Sequence, residues 1–548
     1  MAFLIAQGGA NLYRIDLSSG TATQLTLPTG VTLSSTRKPK FAVLNQWVAM
    51  VNSPNRNLVI DPEGVVRVMN LMPPTVGPTV AAGSSTGLTG AYRYGVSNVV
   101  LNTDGELLLE SPVSPFSKST TLSNQDASLT DIEVALDSIT HRRLYRTLSG
   151  GAVTVAFKVM DIEGNVQQAL VDNVSDANLA LLPAMLSTLV NPPGSIQSMR
   201  FKNIVEWKSR FWAISDNPSL IDTVFATETN KVYAWPNQLV AYPTGQDQLG
   251  ITGFAVRKNQ LGLLKRNGLW QIAGTSGSTG VSIANVAVQQ VALAPGSMSP
   301  DAILSLPGDR VIYLGRDGVY EWSDAGVVNI SKDQVHPWFT TDTYFNRTRW
   351  ANAFMRYNAK LNQVELHLAA AGSSSEDRWV SFNLTNRKWY GPHKTGAFTP
   401  NCGADLTDGD GLPVTFVGGT DGVVYIGNRT TYTDGASTAI DYDCFGPFHH
   451  MDSPDIQKYW GQLSFLNKVE SSGSLTVTPY LLTDTGDIAN VSAGTDFTVD
   501  LTKGAQQLDG RIGDARALRF RLRQNTNAVN ATVYGYEIDK VFENGRRS

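Results

Sequence analysis

The chain has 548 residues, of which 17% are charged, a formal net charge of -4 and 2 cysteines. That length suits two to four domains, each with its own core. The sparse, nearly balanced charge argues against a broad basic surface for nucleic acid, and two cysteines are too few for a disulfide framework, leaving buried thiols or at most one bridge at Cys402 and Cys444.

In chain order, "MAFLIAQGG" lacks the basic region and long apolar run of a signal peptide, and no later segment reaches the length of a membrane span. "NLYRIDLSSGTATQLT" is similar to the repeats of quinone-binding or sugar-binding propellers. "NLVIDPEGVVRVMN" sets Glu63-Gly64 between two β-branched runs, a hairpin signal, because a tight turn calls for positive φ and glycine supplies it without steric cost. The Pro-rich "MPPTVGPTVAAGSSTG" reads as a linker. After it, "GAYRYGVSNVVLNTDGELLLESPVSPFS" and "ITHRRLYRTLSGGAVTVAFKVMDIEG" alternate like the strands of a small antiparallel sandwich. Tyr92, Tyr94 and Val96 fall on one face, and Asp104-Gly105 makes a hairpin. "DANLALLPAMLSTLV", 176–190, is the best helix candidate, limited by Pro183.

The hairpins then recur with a period. Gly268 of "LGLLKRNGLWQIAG" lies 50 residues before Gly318 of "LGRDGVYEWSDAGVVNIS", which lies 104 before Gly422 of "VTFVGGTDGVVYIGN". One step back from Gly268 reaches the turn "SDNPS". A period of about 40–50 residues with four short strands per unit predicts a β-propeller. The interval from Gly64 to Pro218 is too long for one unit, so the sandwich between them reads as an insertion, autonomous in folding and with its ends close in space. Four further strands, "KYWGQLSFLNKV", "GSLTVTPYLLTD", "DARALRFRLRQN" and "ATVYGYEIDKVF", lack that spacing. The expected fold is all-β: the first part of a β-propeller of six or seven blades in 1–72, an inserted fibronectin III/immunoglobulin-like sandwich in 73–195, the rest of the propeller in 196–438 and a C-terminal β-sandwich in 439–548.

Chemistry is sparse. His141, His336, His367, His393, His449 and His450 match no metal-ligand spacing. Asp405, Asp408 and Asp410 near Gly411 depart from the calcium-loop spacing and lack its closing Glu, which favours a solvated turn. "GTSGSTG" and "AAGSSTG" lack the Gly-Lys-Ser/Thr of a phosphate loop. No catalytic residue, metal or cofactor is therefore expected. Two arginine clusters are candidate partner contacts. In "HRRLYRT", strand alternation sends Arg142 and Arg146 one way and Arg143 and Tyr145 the other, a half-buried strand with exposed arginines. In "RALRFRLRQN", Arg519, Arg521 and Arg523 oppose a side made of Arg516, Leu518, Phe520 and Leu522.

An interrupted propeller bearing "AYRYGVSNVVLNTDGELLLESPVSP" and "RRLYRT", followed by "RNGLWQIAG" and "RDGVYEWSDAGVVNIS" and closed by a sandwich, resembles the tail nozzle (tail tubular protein B-like) proteins of short-tailed bacteriophages. The resemblance implies a virion protein made in the host cytoplasm that forms a homo-oligomer, a hexameric ring. The ring would extend the DNA-ejection channel below the portal and adaptor, dock fibres or spikes, and pass genomic DNA without tight binding. A mildly acidic wall suits passage, since each neutralised phosphate adds affinity. The competing reading is a carbohydrate-binding or glycan-cleaving propeller. Against a lectin, Trp207, Trp212, Trp235, Trp270, Trp322, Trp379 and Trp389 keep no common blade position and read as core.

Overall fold

The computed structural model describes residues 3–17, 19–186, 189, 199–235, 240–241, 249–273, 287–291, 294–394, 398–407, 413–426, 433–434, 438–439, 442–451, 456–483, 491–524, 531 and 533–543. Short antiparallel strands dominate them, as the alternating β-branched and aromatic runs dictate. The chain divides into two units: Met1–Ser374, Ser381–Tyr390 and Asp405–Val414 in the first, and Ser375–Val380, Gly391–Ala404 and Thr415–Ser548 in the second.

Five four-stranded sheets keep their strands in sequence order. They begin with Lys40–Leu44, Phe201–Glu206, Ile251–Val256, Ile303–Leu306 and Phe354–Asn358. Each of these leading strands lies beside the leading strand of the next sheet. Lys40 also returns from the first sheet to the fourth, pairing with Asp301 and donating to the Pro300 carbonyl at 3.1 Å, while Lys38 donates to the Asn352 carbonyl at 3.2 Å. No sheet closes on itself among the described residues.

The sheets pack face to face, so most strands are covered on both sides. Trp207, Trp212, Ile214 and Val224 of the second meet Ile251, Phe254, Leu263 and Trp270 of the third. Ala255, Leu264 and Leu269 of the third meet Val311, Tyr313 and Trp322 of the fourth. This explains the burial of all five residues of Phe211–Ser215, a run that a one-sided strand would alternate. Trp212 shows how the polar edges are satisfied: its Nε1 donates to the Trp207 carbonyl at 3.0 Å, and Trp207 Nε1 to the Arg257 carbonyl at 2.9 Å. Burying each such side chain contributes about 2–3 kcal/mol. Trp207, Trp212, Trp235, Trp270 and Trp322 are core, whereas Trp379 and Trp389 are half-buried.

The turns read from the sequence form at Gly64, Gly105, Gly268, Gly318 and Gly422, but for two reasons. Gly422 takes φ of 82°. Gly318 does not use positive φ; a Cβ there would stand 2.5 Å from the Ser331 hydroxyl, so close approach excludes a side chain. Helical features beyond the expected set include, among the described residues, a helical segment at Lys332–Thr340 kinked at Val335, whose Phe339 packs against Phe345, Trp350 and Trp389, and 3-10 turns at Pro218–Leu220 and Arg347–Asn352. The expected helix over 176–190 contracts to Asp176–Leu179, capped by the Ser175 hydroxyl.

Between the first and second of the four-stranded sheets, strands from Thr79–Ala82 to Leu170–Asp172 pair only among themselves. Leu88, Tyr92, Tyr94, Val96, Leu122, Leu129 and Leu144 form their core. Val100 and Leu109 of this region belong instead to a cluster with Val51, Phe201, Phe211 and Trp235, so its base shares a core with the adjoining sheets. In the second unit, Tyr442–Phe445, Ala517–Gln524, Ser474–Leu482, Val491–Ala493 and Phe497–Asp500 form one sheet. Lys458–Asn467, Ala505–Gln507, Gly513–Ala515 and Val533–Glu543 form another. Trp460, Leu463, Phe465, Val477, Leu518 and Phe520 are buried between the two.

Candidate interaction surface

The two arginine clusters diverge. Arg142 and Arg146 are wholly buried, contrary to the exposed face expected of them, and they offer a partner no surface. Leu144 between them points into the core these strands share, so all three side chains lie on its interior face. The opposite face is covered too, by Val113, Met185 and Leu189 around Tyr145. Arg146 donates to Asp172 at 2.6 Å, Asp176 at 3.0 Å and the Val174 carbonyl at 2.8 Å, and lies 4.9 Å from the centre of the Tyr92 ring. Tyr94 also donates to Asp172, at 2.9 Å, and burial beside that carboxylate pushes its phenol well above the usual range. Arg142 reaches main-chain acceptors: the carbonyls of Ile132 at 3.1 Å, Glu133 at 3.5 Å and Val166. Arg143 grips Asp161 at 2.7 and 3.2 Å.

Arg519, Arg521 and Arg523 lie on the outer face of their strand, as alternation predicts, while Leu518 and Phe520 enter the core. Strand pairing sets Tyr480 opposite Arg519, and Thr478 and Phe445 opposite Arg521. The Arg519 guanidinium carbon lies 4.8 Å from the Phe445 ring centre, 4.7 Å from Phe448 and 5.7 Å from Tyr480. Arg521 donates to both Asp443 oxygens, at 2.8 and 2.5 Å, and lies 5.5 Å from Phe445. Those hydrogen bonds hold the Asp443 carboxyl below its usual value; they and Tyr480 hold Arg521 above its own. Phe445 stays 46% exposed, and Arg523, opposite Asp443 in the strand pairing, is exposed. The result is an aromatic surface with three guanidinium groups and the Asp443 carboxylate, bordered by Asp496, which accepts from the Thr478 hydroxyl.

The aromatic half of this surface escaped the sequence reading. "YDCFGPF" holds Asp443, Phe445 and Phe448, and its short strand carries one full alternation, too little to stand out beside the arginine run. Cys402 and Cys444 are exposed, contrary to the buried thiols expected, because both sit on edge strands. Among the described residues no group of three His, Cys, Asp or Glu side chains is placed to hold a metal; Asp408, Asp410, Gly411 and "GTSGSTG" lie outside the described residues. His449 meets the Tyr536 hydroxyl, and His367 stacks on Phe354 at 4.3 Å. A cavity of about 430 Å³ is lined by Arg14, Asp16, Thr21, Thr23, Glu63 and Gly64. No described helix is long and apolar enough to cross a membrane.

No protein-family model and no curated protein matches the chain. Among solved structures, PorZ, a surface component of the type-IX secretion system of Porphyromonas gingivalis, aligns at 9% identity and a TM-score of 0.28, covering 98% of this chain and 80% of that one. The extracellular domain of BT4673 from B. thetaiotaomicron aligns at 9% identity and a TM-score of 0.24, covering 97% and 83%. The tricorn protease aligns at 10% identity and a TM-score of 0.18, covering 94% and 53%.

Proposed function

We propose that the chain is a structural subunit of a virion, a tail nozzle protein that assembles as a homo-oligomeric ring, a hexamer, below a portal and adaptor. In this reading it extends the DNA-ejection channel and docks fibres or spikes. The successive four-stranded sheets, with neighbouring leading strands and the return from Lys40 to Asp301, fit propeller blades around an axis. The self-paired strands from Thr79 to Asp172 fit an immunoglobulin-like insert, and the Trp460 sandwich a C-terminal domain.

The Arg519 face carries the reading. Arginine and aromatic side chains concentrate binding energy in protein interfaces. Phosphate recognition needs guanidinium donors pointing outward, but two Arg521 donors are held by Asp443 and the Arg519 guanidinium is set among three rings. The face therefore suits a protein neighbour better than nucleic acid. The test is the native mass of the protein alone and with a preassembled portal and adaptor ring, for wild type and for Arg519→Ser/Arg521→Ser/Arg523→Ser. The triple variant is expected to fold and to lose assembly. Wild-type duplex DNA binding is expected no tighter than roughly 0.1 mM at physiological salt, the non-specific level. Tight DNA binding abolished by the triple substitution, with assembly intact, overturns the proposal.

The cavity beside Asp16 and Glu63 favours a second reading, glycan binding or cleavage, because it brings two carboxylates to one hollow. Polysaccharide hydrolysis lost in Asp16→Asn or Glu63→Gln would establish it.

A further inference from the structure

We infer that the Arg519 face receives a loop tip from a second copy of this chain, formed by residues 131–140 and 164–169; the inference rests on the assembly reading above. Both loops are fixed by polar contacts beneath them. Buried Arg142 ties the Ile132 and Glu133 carbonyls of one to the Val166 carbonyl of the other. Asn165 locks the pair reciprocally, accepting from the Ala135 amide at 2.7 Å and donating to its carbonyl at 2.9 Å. Glu133 accepts the Thr75 and Val76 amides at 2.5 and 3.1 Å, and Asp137 pairs with Arg56.

On this fixed base three apolar side chains face water: Val134 is 43% exposed, Leu136 86% and Val166 64%. Adjacent exposed apolar side chains on an ordered scaffold mark a contact surface. Apart from Arg56, which Asp137 holds, the charge around them is acidic. Residues 131–140 and 164–169 contain Asp131, Glu133 and Asp137 and no lysine or arginine, and Glu163 ends the strand that leads into the second loop. With Glu133 and Asp137 engaged below, Asp131 and Glu163 are the exposed acids. An apolar tip with an acidic border is complementary to an aromatic face whose three arginines outnumber its two aspartates, Asp443 and Asp496.

Each copy carries one tip and one face, so the contact is heterologous and propagates head to tail, closing as a ring or running on as a filament. Three apolar side chains and their border bury less than the roughly 1,200 Å² of a standard stable interface. A single contact is therefore weak, and ring closure strengthens it by raising effective concentration.

Sedimentation velocity on the full-length chain over a concentration series tests this with two variants, Leu136→Asp/Val166→Asp and Arg519→Ser/Arg521→Ser/Arg523→Ser, each checked for native circular dichroism. Wild type is expected to self-associate and each variant to do so about tenfold more weakly or worse. Their equimolar mixture is expected to form a one-to-one complex and nothing larger, because one partner keeps the face and the other the tip. Two results overturn the inference: a tip variant that associates like wild type, or a wild type that stays monomeric at its highest soluble concentration. Either leaves the assembly reading to be judged by binding to the portal and adaptor ring. Restoration of association to Glu163→Lys by Arg523→Glu supports it through the charge border, and failure of every such exchange counts against it.

Discussion

Two arginine-rich strands end in opposite environments. In "HRRLYRT" the strand is central in its sheet, with partners on both sides and packing on both faces, and the guanidinium groups of Arg142 and Arg146 become buried fasteners. In "RALRFRLRQN" one face meets the sandwich core and the other is open, so the arginines line a surface. Alternation assigns side chains to faces in both; what lies against each face decides whether an arginine holds the fold or meets a partner.

The sharpest way to break the contrast is Arg146→Met, which strands the buried Asp172 carboxylate and should cost about 3–5 kcal/mol. Chemical denaturation would measure it, and a loss below 1 kcal/mol would mean the pair is not buried as described. Arg142→Met leaves the Ile132 and Val166 carbonyls without that donor and should cost about 1–3 kcal/mol. Hydrogen exchange should quicken first in 131–137 and 164–167; uniform quickening would deny the arginine its local role. Arg519→Ser removes the cation from its three rings at about 1 kcal/mol or less. Acid gives the smallest effect. Asp443 has a depressed folded-state pKa, so its contribution is present above the usual carboxylate value and fades as pH falls through the lower folded one. Solvent screening keeps it below about 1 kcal/mol, and Asp443→Asn should remove that part of the acid dependence.

The hairpin punctuation was legible because a Gly turn between β-branched runs is a local signal. Leu518 and Phe520 facing inward with Arg519 and Arg521 outward was legible for the same reason. The burial of Arg142 was not: its acceptors are main-chain carbonyls, which any sequence possesses. Nor was the Phe445, Phe448 and Tyr480 setting of Arg519, since strand pairing brings those rings together across tens of residues. The helix at Lys332–Thr340 carries Pro337 inside it and only two buried side chains, Val335 and Phe339, so helical periodicity had almost nothing to register.

Val100 and Leu109 occupy the same apolar cluster as Val51, Phe201 and Trp235. The strands between Thr79 and Asp172 are thus rooted in the body that carries them, with Arg56 and Asp137 as a polar strut beside the root. Leu136 sits one residue from Asp137, and Ile139 packs on the same cluster, so a load on this loop enters the neighbouring sheets at the root itself.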